Sequence, residues 1–388
     1  MLKIEGIWDS CTGCLACMNI CPRKAIESHY DTEGFIRPTV NHSLCVECHS
    51  CEKVCHVLFQ YSEKPLDEYH GLIARSLDAD TLLNSSSGGL FHELAQWTIN
   101  NGGVVFAATY DYDKMCLKHS STDELPLLLF QKSKYIESDT GNTFSRVYKS
   151  LMSGRSTLFC GTPCQVSGLR TFLQMQKCPM EQLILVDFFC HGVPSSIHFA
   201  EWVSYLSKRK LKGDVTSVDF RNKDDGWFPY NVVYKSAIRK IQHPYYEDLI
   251  SAAFYDNLAL RRSCSNCREI FYHNSDLTLG DYRGPLLKEF NTDNKGLSLI
   301  VVNTNQGEKV LSQLRKGGKI ESSVITQDDF KYAYHHKNED LFSLAKRDKN
   351  YRMIDRYGYN TTLLLKYGFR IALLKTKRWI KTTIKGIR

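Results

Sequence analysis

The sequence predicts an α+β protein in three parts: a small cysteine-rich module over residues 1–60, a mixed α/β domain over 66–340 and a basic helical tail over 341–388. Three observations predict it. Eight of the fifteen cysteines fall between Cys11 and Cys55, in two runs of one spacing. From residue 70 onward, apolar runs of strand length alternate with segments of helical period. From Arg356 to the end the chain holds nine Lys or Arg and no Asp or Glu.

Composition narrows the classes. The 388 residues are 43% hydrophobic and 24% charged, ordinary globular usage rather than that of a disordered chain. The net charge of +8 resides in the tail, which leaves the rest near neutral, so no nucleic-acid partner is expected. No apolar run approaches the ~20 residues of a membrane-spanning helix. The opening MLKIEGIWDS lacks the apolar stretch of a secretory signal. The expected location is the cytoplasm, where clustered cysteines read as metal ligands rather than disulfides.

The first run is Cys11-x2-Cys14-x2-Cys17-x3-Cys21-Pro22, the second Cys45-x2-Cys48-x2-Cys51-x3-Cys55-His56. Both have the spacing of bacterial ferredoxins, and the second departs only in placing His56 where proline is usual. Three thiolates two residues apart sit on a tight loop that wraps one cubane. The fourth, a helical turn further on, reaches the neighbouring cubane. The expected ligand sets for two [4Fe-4S] clusters are therefore Cys11, Cys14 and Cys17 with Cys55, and Cys45, Cys48 and Cys51 with Cys21. Gly13 and Ala16 are small enough for backbone N–H groups to approach the sulfides. Zinc, the alternative, typically takes two separated CxxC pairs. Between the runs, IESHYDTEGFIRPTV reads as a hairpin turning at Thr32–Gly34, which completes a dicluster ferredoxin-like module.

YSEKPLDEYH (61–70) is polar, contains Pro65 and reads as a linker. Strands are expected over 70–76, 103–111, 156–161, 183–190, 214–221, 230–237 and 297–304, with another around Thr278–Leu279. Helices are expected over 82–101, 144–152, 165–176 and 198–209. This order implies an α/β domain with some antiparallel pairing.

Several turns carry side chains capable of chemistry. Asn84-Ser85-Ser86-Ser87-Gly88-Gly89 precedes a helix and offers N–H groups and hydroxyls to a phosphate or a flavin pyrophosphate; a capped helix entry is the alternative. In Phe159-Cys160-Gly161-Thr162-Pro163-Cys164-Gln165, Pro163 starts a helix and Cys164 sits in its first turn, where the dipole favours a thiolate. Cys190-His191-Gly192-Val193-Pro194-Ser195 is a further strand-end turn, and Cys264-x2-Cys267 is half a metal site or a redox pair. Together Cys164, Cys190, Cys264 and Cys267 are candidate ligands of a third [4Fe-4S] cluster. Cys116, Cys160 and Cys178 read as structural.

Taken in order, SSSGG (85–89), KYIESDTG (134–141), FCGTPCQVSGL (159–169), CHGVPS (190–195), FRNKDDGW (220–227), CSNC (264–267), DLTLGDYRG (276–284) and KGLSL (295–299) form a set. Over residues 1–305 the chain resembles the coenzyme F420 hydrogenase/dehydrogenase beta-subunit family, in its bacterial form with a fused ferredoxin module. The resemblance implies a flavin-binding domain that holds FAD and exchanges electrons with iron–sulfur clusters. Some relatives serve the deazaflavin coenzyme F420, others reduce different organic substrates such as chlorophyll derivatives, and similar bacterial chains are associated with surface-polysaccharide synthesis. Arg283 stands where an aromatic residue is frequent, in a loop expected to face the substrate.

On this footing Ser86, Ser87, Gly88 and Gly89 cradle the pyrophosphate, and Lys134, Thr162 and Gln165 contact the flavin. Lys134 would place positive charge beside a reduced, anionic flavin. His191, Arg221 and Asp281 are candidates for substrate binding or proton transfer. The implied activity is that of an iron–sulfur flavin oxidoreductase. Its expected partners are a redox protein or reduced ferredoxin and a small-molecule or glycan-precursor substrate. The rival reading is an electron-transfer or accessory protein with no substrate of its own.

In the tail, Leu364, Tyr367, Ile371, Leu374 and Ile384 recur at roughly helical spacing, while Lys366, Arg370, Lys377, Lys381 and Lys385 fall on another face. A basic amphipathic helix over Leu363–Arg388, with Trp379 near its end, suits an anionic membrane surface, which would place the chain peripherally at the inner face of the membrane. Packing of the apolar face on the main domain is the alternative.

Overall fold

The computed structural model describes residues 2–59, 70–270, 272–338 and 342–386, and their side chains except at 270, 335–338 and 381–386. The expected linker up to residue 69 lies outside the described residues, as do the side chains of Lys381, Ile384 and Lys385.

In the N-terminal module both cysteine runs fold alike. Gly13 and Leu15 in the first, and Glu47 and His49 in the second, take positive φ. Each loop then enters a short helix, α1 (Ala16–Ile20) or α2 (Ser50–Lys53). Left-handed residues at alternate steps curl the backbone tightly and turn its amides to one side. Between the runs, β1 (Ile26–Tyr30) pairs antiparallel with β2 (Ile36–Val40), from Ile26↔Val40 to Tyr30↔Ile36. Asp31 closes the turn by accepting from the amides of Glu33 (3.0 Å) and Phe35 (2.8 Å).

The main domain begins with β3 (His70–Ser76), then α3 (Leu90–Asn100), β4 (Val104–Asp111), β5 (Cys116–Ser121), β6 (Ser138–Asp139) and α4 (Thr143–Met152). There follow β7 (Thr157–Cys160), α5 (Pro163–Met175), β8 (Leu183–Phe188) and α6 (Ser196–Leu206). After them come β9 (Val215–Asn222), β10 (Asn231–Ser236), β11 (Lys240–Pro244), β12 (Leu277–Asp281), β13 (Ser298–Val302) and β14 (Ile320–Val324). Nine strands form one sheet in the order β14-β3-β13-β12-β8-β7-β4-β5-β6, and β11-β10-β9 form a second. β12, β8, β7 and β4 run parallel, with antiparallel partners outside them. The near-continuous apolar runs of β7 and β8 suit this doubly covered centre. The helix expected over 82–101 is interrupted: a short helix ends at Leu83, and the Ser/Gly turn runs on to Gly89, whose positive φ caps α3.

The module shares a core with the main domain. Cys17, Ile26, Val40, Cys51 and Val54 pack with Phe144 of α4 and with Val166, Leu169, Phe172 and Leu173 of α5. Two buried arginines, Arg261 and Arg347, tie the parts together, and a third, Arg37, braces the module from within. Arg261 pairs with Glu137 and donates to the carbonyls of Ile36 and Cys11, each at 3.2 Å, while Glu137 accepts the Ile36 amide at 3.0 Å. Arg37 donates to the Trp8 and Cys11 carbonyls at 2.7 and 2.8 Å. Arg347, from α7 (Leu344–Tyr357), pairs with Glu33 and donates to the Leu260 carbonyl at 2.6 Å.

The tail is built into this body. Tyr351, Ile354, Tyr359, Leu363, Tyr367 and Ile371 join one apolar cluster with α6, β9 and β10. The final helix is α8 (Phe369–Gly386). Of the apolar face expected in the tail, Tyr367 and Ile371 are buried against the domain, Leu374 is half-buried and Leu364 is exposed. Among the described residues no helix is long and apolar enough to cross a membrane.

Candidate functional site

A cavity of about 860 Å³ opens where β4, β7, β8 and β12 end. The carboxyl ends of parallel strands are where open α/β sheets bind ligands. Nine of the ten non-cysteine candidates line it: Ser86, Ser87, Gly89, Lys134, Thr162, Gln165, His191, Arg221 and Asp281. Gly88 lies beneath the surface instead. Its amide donates to Ser298 Oγ at 3.0 Å, and a Cβ there would meet the Ala74 carbonyl at 2.5 Å.

The Ser/Gly turn is held from several sides. The Ser86 carbonyl accepts from Arg221 Nη2 (3.1 Å) and Trp227 Nε1 (3.0 Å), and its hydroxyl accepts the Ser133 amide at 2.7 Å. The Ser87 hydroxyl donates to the Leu297 carbonyl at 2.9 Å, so that hydroxyl serves the turn itself. Lys223, a residue not singled out from the sequence, donates to the carbonyls of Leu82 (2.7 Å), Ser87 (2.6 Å) and Lys295 (2.6 Å). Burial, then the charge of Arg221, holds its pKa down to about 7. The one signal for it in the sequence is its place in FRNKDDGW, two residues after Arg221.

Arg221 is buried, pairs with Asp281 at 2.8 Å, reaches Tyr135 Oη at 3.2 Å and lies 4.4 Å over the Tyr230 ring. Arg283 also lines the cavity, 3.6 Å from Asp281 and 4.2 Å over the Phe228 ring, so the loop bearing it does face the cavity. Lys134 donates to the carbonyls of Phe130 (3.1 Å), Gln131 (2.7 Å) and Lys132 (3.2 Å), and burial lowers its pKa to about 7. His191 packs 4.9 Å from the Phe254 ring.

Thr162 and Gln165 form the capping box of α5. Gln165 Oε1 accepts the Thr162 amide at 3.0 Å, and Nε2 donates to Ser138 O and Oγ at 3.1 Å, so both ends of this amide are engaged in the wall.

The cysteines fall into three groups. Cys21, Cys45, Cys48 and Cys51 line one small cavity of about 20 Å³. Burial pushes the Cys17 thiol far above its usual range, and negative charge on Cys14, Cys11 and Cys55 adds to this; Cys55 is raised to about 12 by burial and then by Cys14. In the main domain burial raises Cys164, with Cys267 and Cys190 next, and raises Cys190 to about 12, with Cys264 next. Cys267 is raised by burial and then by Cys264 and Cys190. The chain thus brings these four distant cysteines within electrostatic reach of one another. Cys164 sits in the first turn of α5, where burial pushes its thiol up. Among the described residues no three His, Cys, Asp or Glu side chains are set to hold a single metal ion, as a zinc site with bonds of about 2.3 Å to sulfur requires.

The groups are adjacent. Cys14 acts on Cys164, and a Cβ on Gly168 of α5 would lie 2.8 Å from Cys14 Sγ, so the helix passes directly against the module there. Cys190 lines the large cavity as well. His56 spans the same junction: its Nε2 lies 3.1 Å from Thr12 Oγ1 and its Nδ1 2.9 Å from Glu269 Oε1. Burial lowers its pKa, but Cys14 and Glu269 outweigh that and raise it to about 10.

A cysteine-rich module packed on a mixed α/β domain with a deep strand-end cavity defines an iron–sulfur protein of the oxidoreductase type. Residues 154–328 match the family model that describes the C terminus of the coenzyme F420 hydrogenase/dehydrogenase beta subunit, and residues 10–58 match the 4Fe-4S dicluster domain. The chain fits the beta-subunit family in its form with a fused ferredoxin domain. Among solved structures, a chain of the F420-reducing [NiFe] hydrogenase complex from Methanosarcina barkeri, solved as a xenon derivative, aligns with a TM-score of 0.50 at 16% identity. The alignment covers 76% of this chain and 95% of that one, a likeness of fold. No curated protein matches.

Proposed function

We propose that the chain is an iron–sulfur flavin oxidoreductase that moves electrons between two [4Fe-4S] clusters in the module and a substrate in the large cavity. The observation that carries this is the succession of thiol groups: the module, then Cys14 against Gly168 of the helix that Cys164 begins, then Cys190 at the cavity wall. In this reading Cys11, Cys14, Cys17 and Cys55 hold one cluster and Cys45, Cys48, Cys51 and Cys21 the other. Cys164, Cys190, Cys264 and Cys267 hold a third. The close set of buried thiols suits iron, whose bonding would replace their protons.

The cavity volume lies within the range of cofactor sites, and its wall supports FAD. When bound, a flavin joins one-electron exchange with clusters to two-electron chemistry on a substrate. The turn at Ser86, Ser87 and Gly89, shaped by Gly88 and Lys223, receives the pyrophosphate. Lys134 supplies positive charge, while Thr162 and Gln165 keep the wall in shape. Arg221 and Asp281 orient the substrate, and His191 holds or releases a proton. The donor is a redox protein or reduced ferredoxin, and the substrate a small molecule or glycan precursor used in surface-polysaccharide synthesis.

Anaerobic reconstitution with iron, sulfide and FAD tests the reading. It predicts iron–sulfur absorbance together with about one flavin per chain that dithionite reduces. Iron–sulfur absorbance with no retained flavin would leave an accessory electron-transfer protein and defeat the enzyme reading.

A further inference from the structure

The outer side of α8 carries a feature that the redox site does not use. Ile371, which is buried, and Arg378, which pairs with Glu247 at 2.7 Å, mark the side of this helix that docks on the domain. With 3.6 residues per turn, Phe369, Leu373 and Ile380 fall together on the opposite side, with Trp379 at its edge. All four are exposed, Phe369 at 78% and Trp379 at 67%. Lys375 flanks this apolar stripe on one side, and Lys377 and Arg370 flank it on the other. No acidic residue occurs from Arg356 onward to offset these charges.

We propose that α8 binds an anionic lipid surface through this outward stripe. A narrow apolar row with cations on both flanks matches a planar interface: the row enters the acyl boundary, and the flanking side chains extend to headgroups on either side. The charge is complementary to acidic lipid throughout. The stripe is not the face made by Tyr367 and Ile371, which is already covered by the domain. Arg370 lines the mouth of the large cavity as well, so lipid contact would place that mouth about one helix diameter, roughly 10 Å, from the membrane surface.

Deleting the tail is a poor test, since Leu363, Tyr367 and Ile371 would leave the core with it. Point substitutions on the exposed stripe serve instead. The full-length reconstituted protein is sedimented with vesicles of phosphatidylcholine, with and without phosphatidylglycerol. It should sediment with the phosphatidylglycerol vesicles at low salt and be released at high salt. Lys375→Gln and Lys377→Gln should each weaken binding about fivefold, equivalent to about 1 kcal/mol. Phe369→Ser combined with Leu373→Ser, and separately Ile380→Ser, should weaken it further while iron content and circular dichroism stay unchanged. Equal sedimentation with neutral vesicles, or undiminished binding by both stripe variants, would overturn the proposal. So would binding to polyglutamate but not to vesicles, which would assign the stripe to an acidic protein.

Discussion

The module and the main domain hold their cysteines in opposite ways. In the module the eight cysteines lie between Cys11 and Cys55, and two copies of one loop, with left-handed residues at matching steps, present them. In the main domain Cys164, Cys190, Cys264 and Cys267 come from three places in the chain and come within electrostatic reach of one another, two of them following β7 and β8, which are neighbours in the sheet. The first arrangement is local and depends on what it binds. The second is made by the fold and should survive the loss of its ligand.

The largest expected effect sharpens that contrast. Cys14→Ala should remove about four irons and loosen the module, because metal bonds organise such loops. Iron content and limited proteolysis of the N-terminal region read this out, and unchanged iron would refute the ligand set. Next comes the seam between the two regions. Arg261→Ala leaves Glu137 buried without its partner, which should cost about 3–5 kcal/mol in chemical denaturation. A cost near zero would mean that the module and domain are not stitched by this pair.

A smaller effect is expected within the cavity. Lys223→Ala strips donors from three carbonyls and should loosen the Ser/Gly turn, lowering FAD affinity by roughly tenfold, about 1.4 kcal/mol. Equilibrium dialysis measures it, with iron content unchanged.

The smallest effect is a pH dependence. Burial lowers the Lys134 pKa from 10.5 to about 7, so the folded chain holds this proton more weakly than the unfolded one. The charged form therefore costs stability below about pH 7, and the cost fades as pH rises from about 7 towards 10.5. An anionic ligand reverses the preference, since it favours the ammonium. FAD affinity should fall as pH rises through about 7, and Lys134→Met should flatten that profile.

Legibility in the sequence divides along the same line. The module's loops and hairpin are readable because they sit in one short stretch with a repeated cysteine spacing. Strand β3 is readable from its apolar run, and the α/β mixture from the alternation that continues it. β5, with CLKHSS, and β14, with IESSV, are not, because these strands owe their place to partners and to satisfied polar groups. In the cavity, the strand-end turns singled out from the sequence line one wall region together. The roles within them are less legible: Lys223 looks like part of a charged surface run, and only the fold brings three carbonyls to it. Thr162 and Gln165 carry a T-x-x-Q capping signature, which accounts for their engagement in the helix start. The tail's apolar spacing reads as one straight helix. The structure instead places a π-turn over Leu364–Gly368, and Leu364 of the expected face is exposed while Tyr367 and Ile371 are buried.

Iron counting on the anaerobically reconstituted protein tests the central contrast most directly. Mössbauer spectroscopy and chemical analysis should give about twelve irons per chain in [4Fe-4S] form. Cys267→Ser should give about eight, with the module's signals unchanged and the circular dichroism of the whole chain preserved. About eight irons in both proteins would contradict the account, leaving Cys164, Cys190, Cys264 and Cys267 as buried thiols and breaking the proposed path from the module to the cavity.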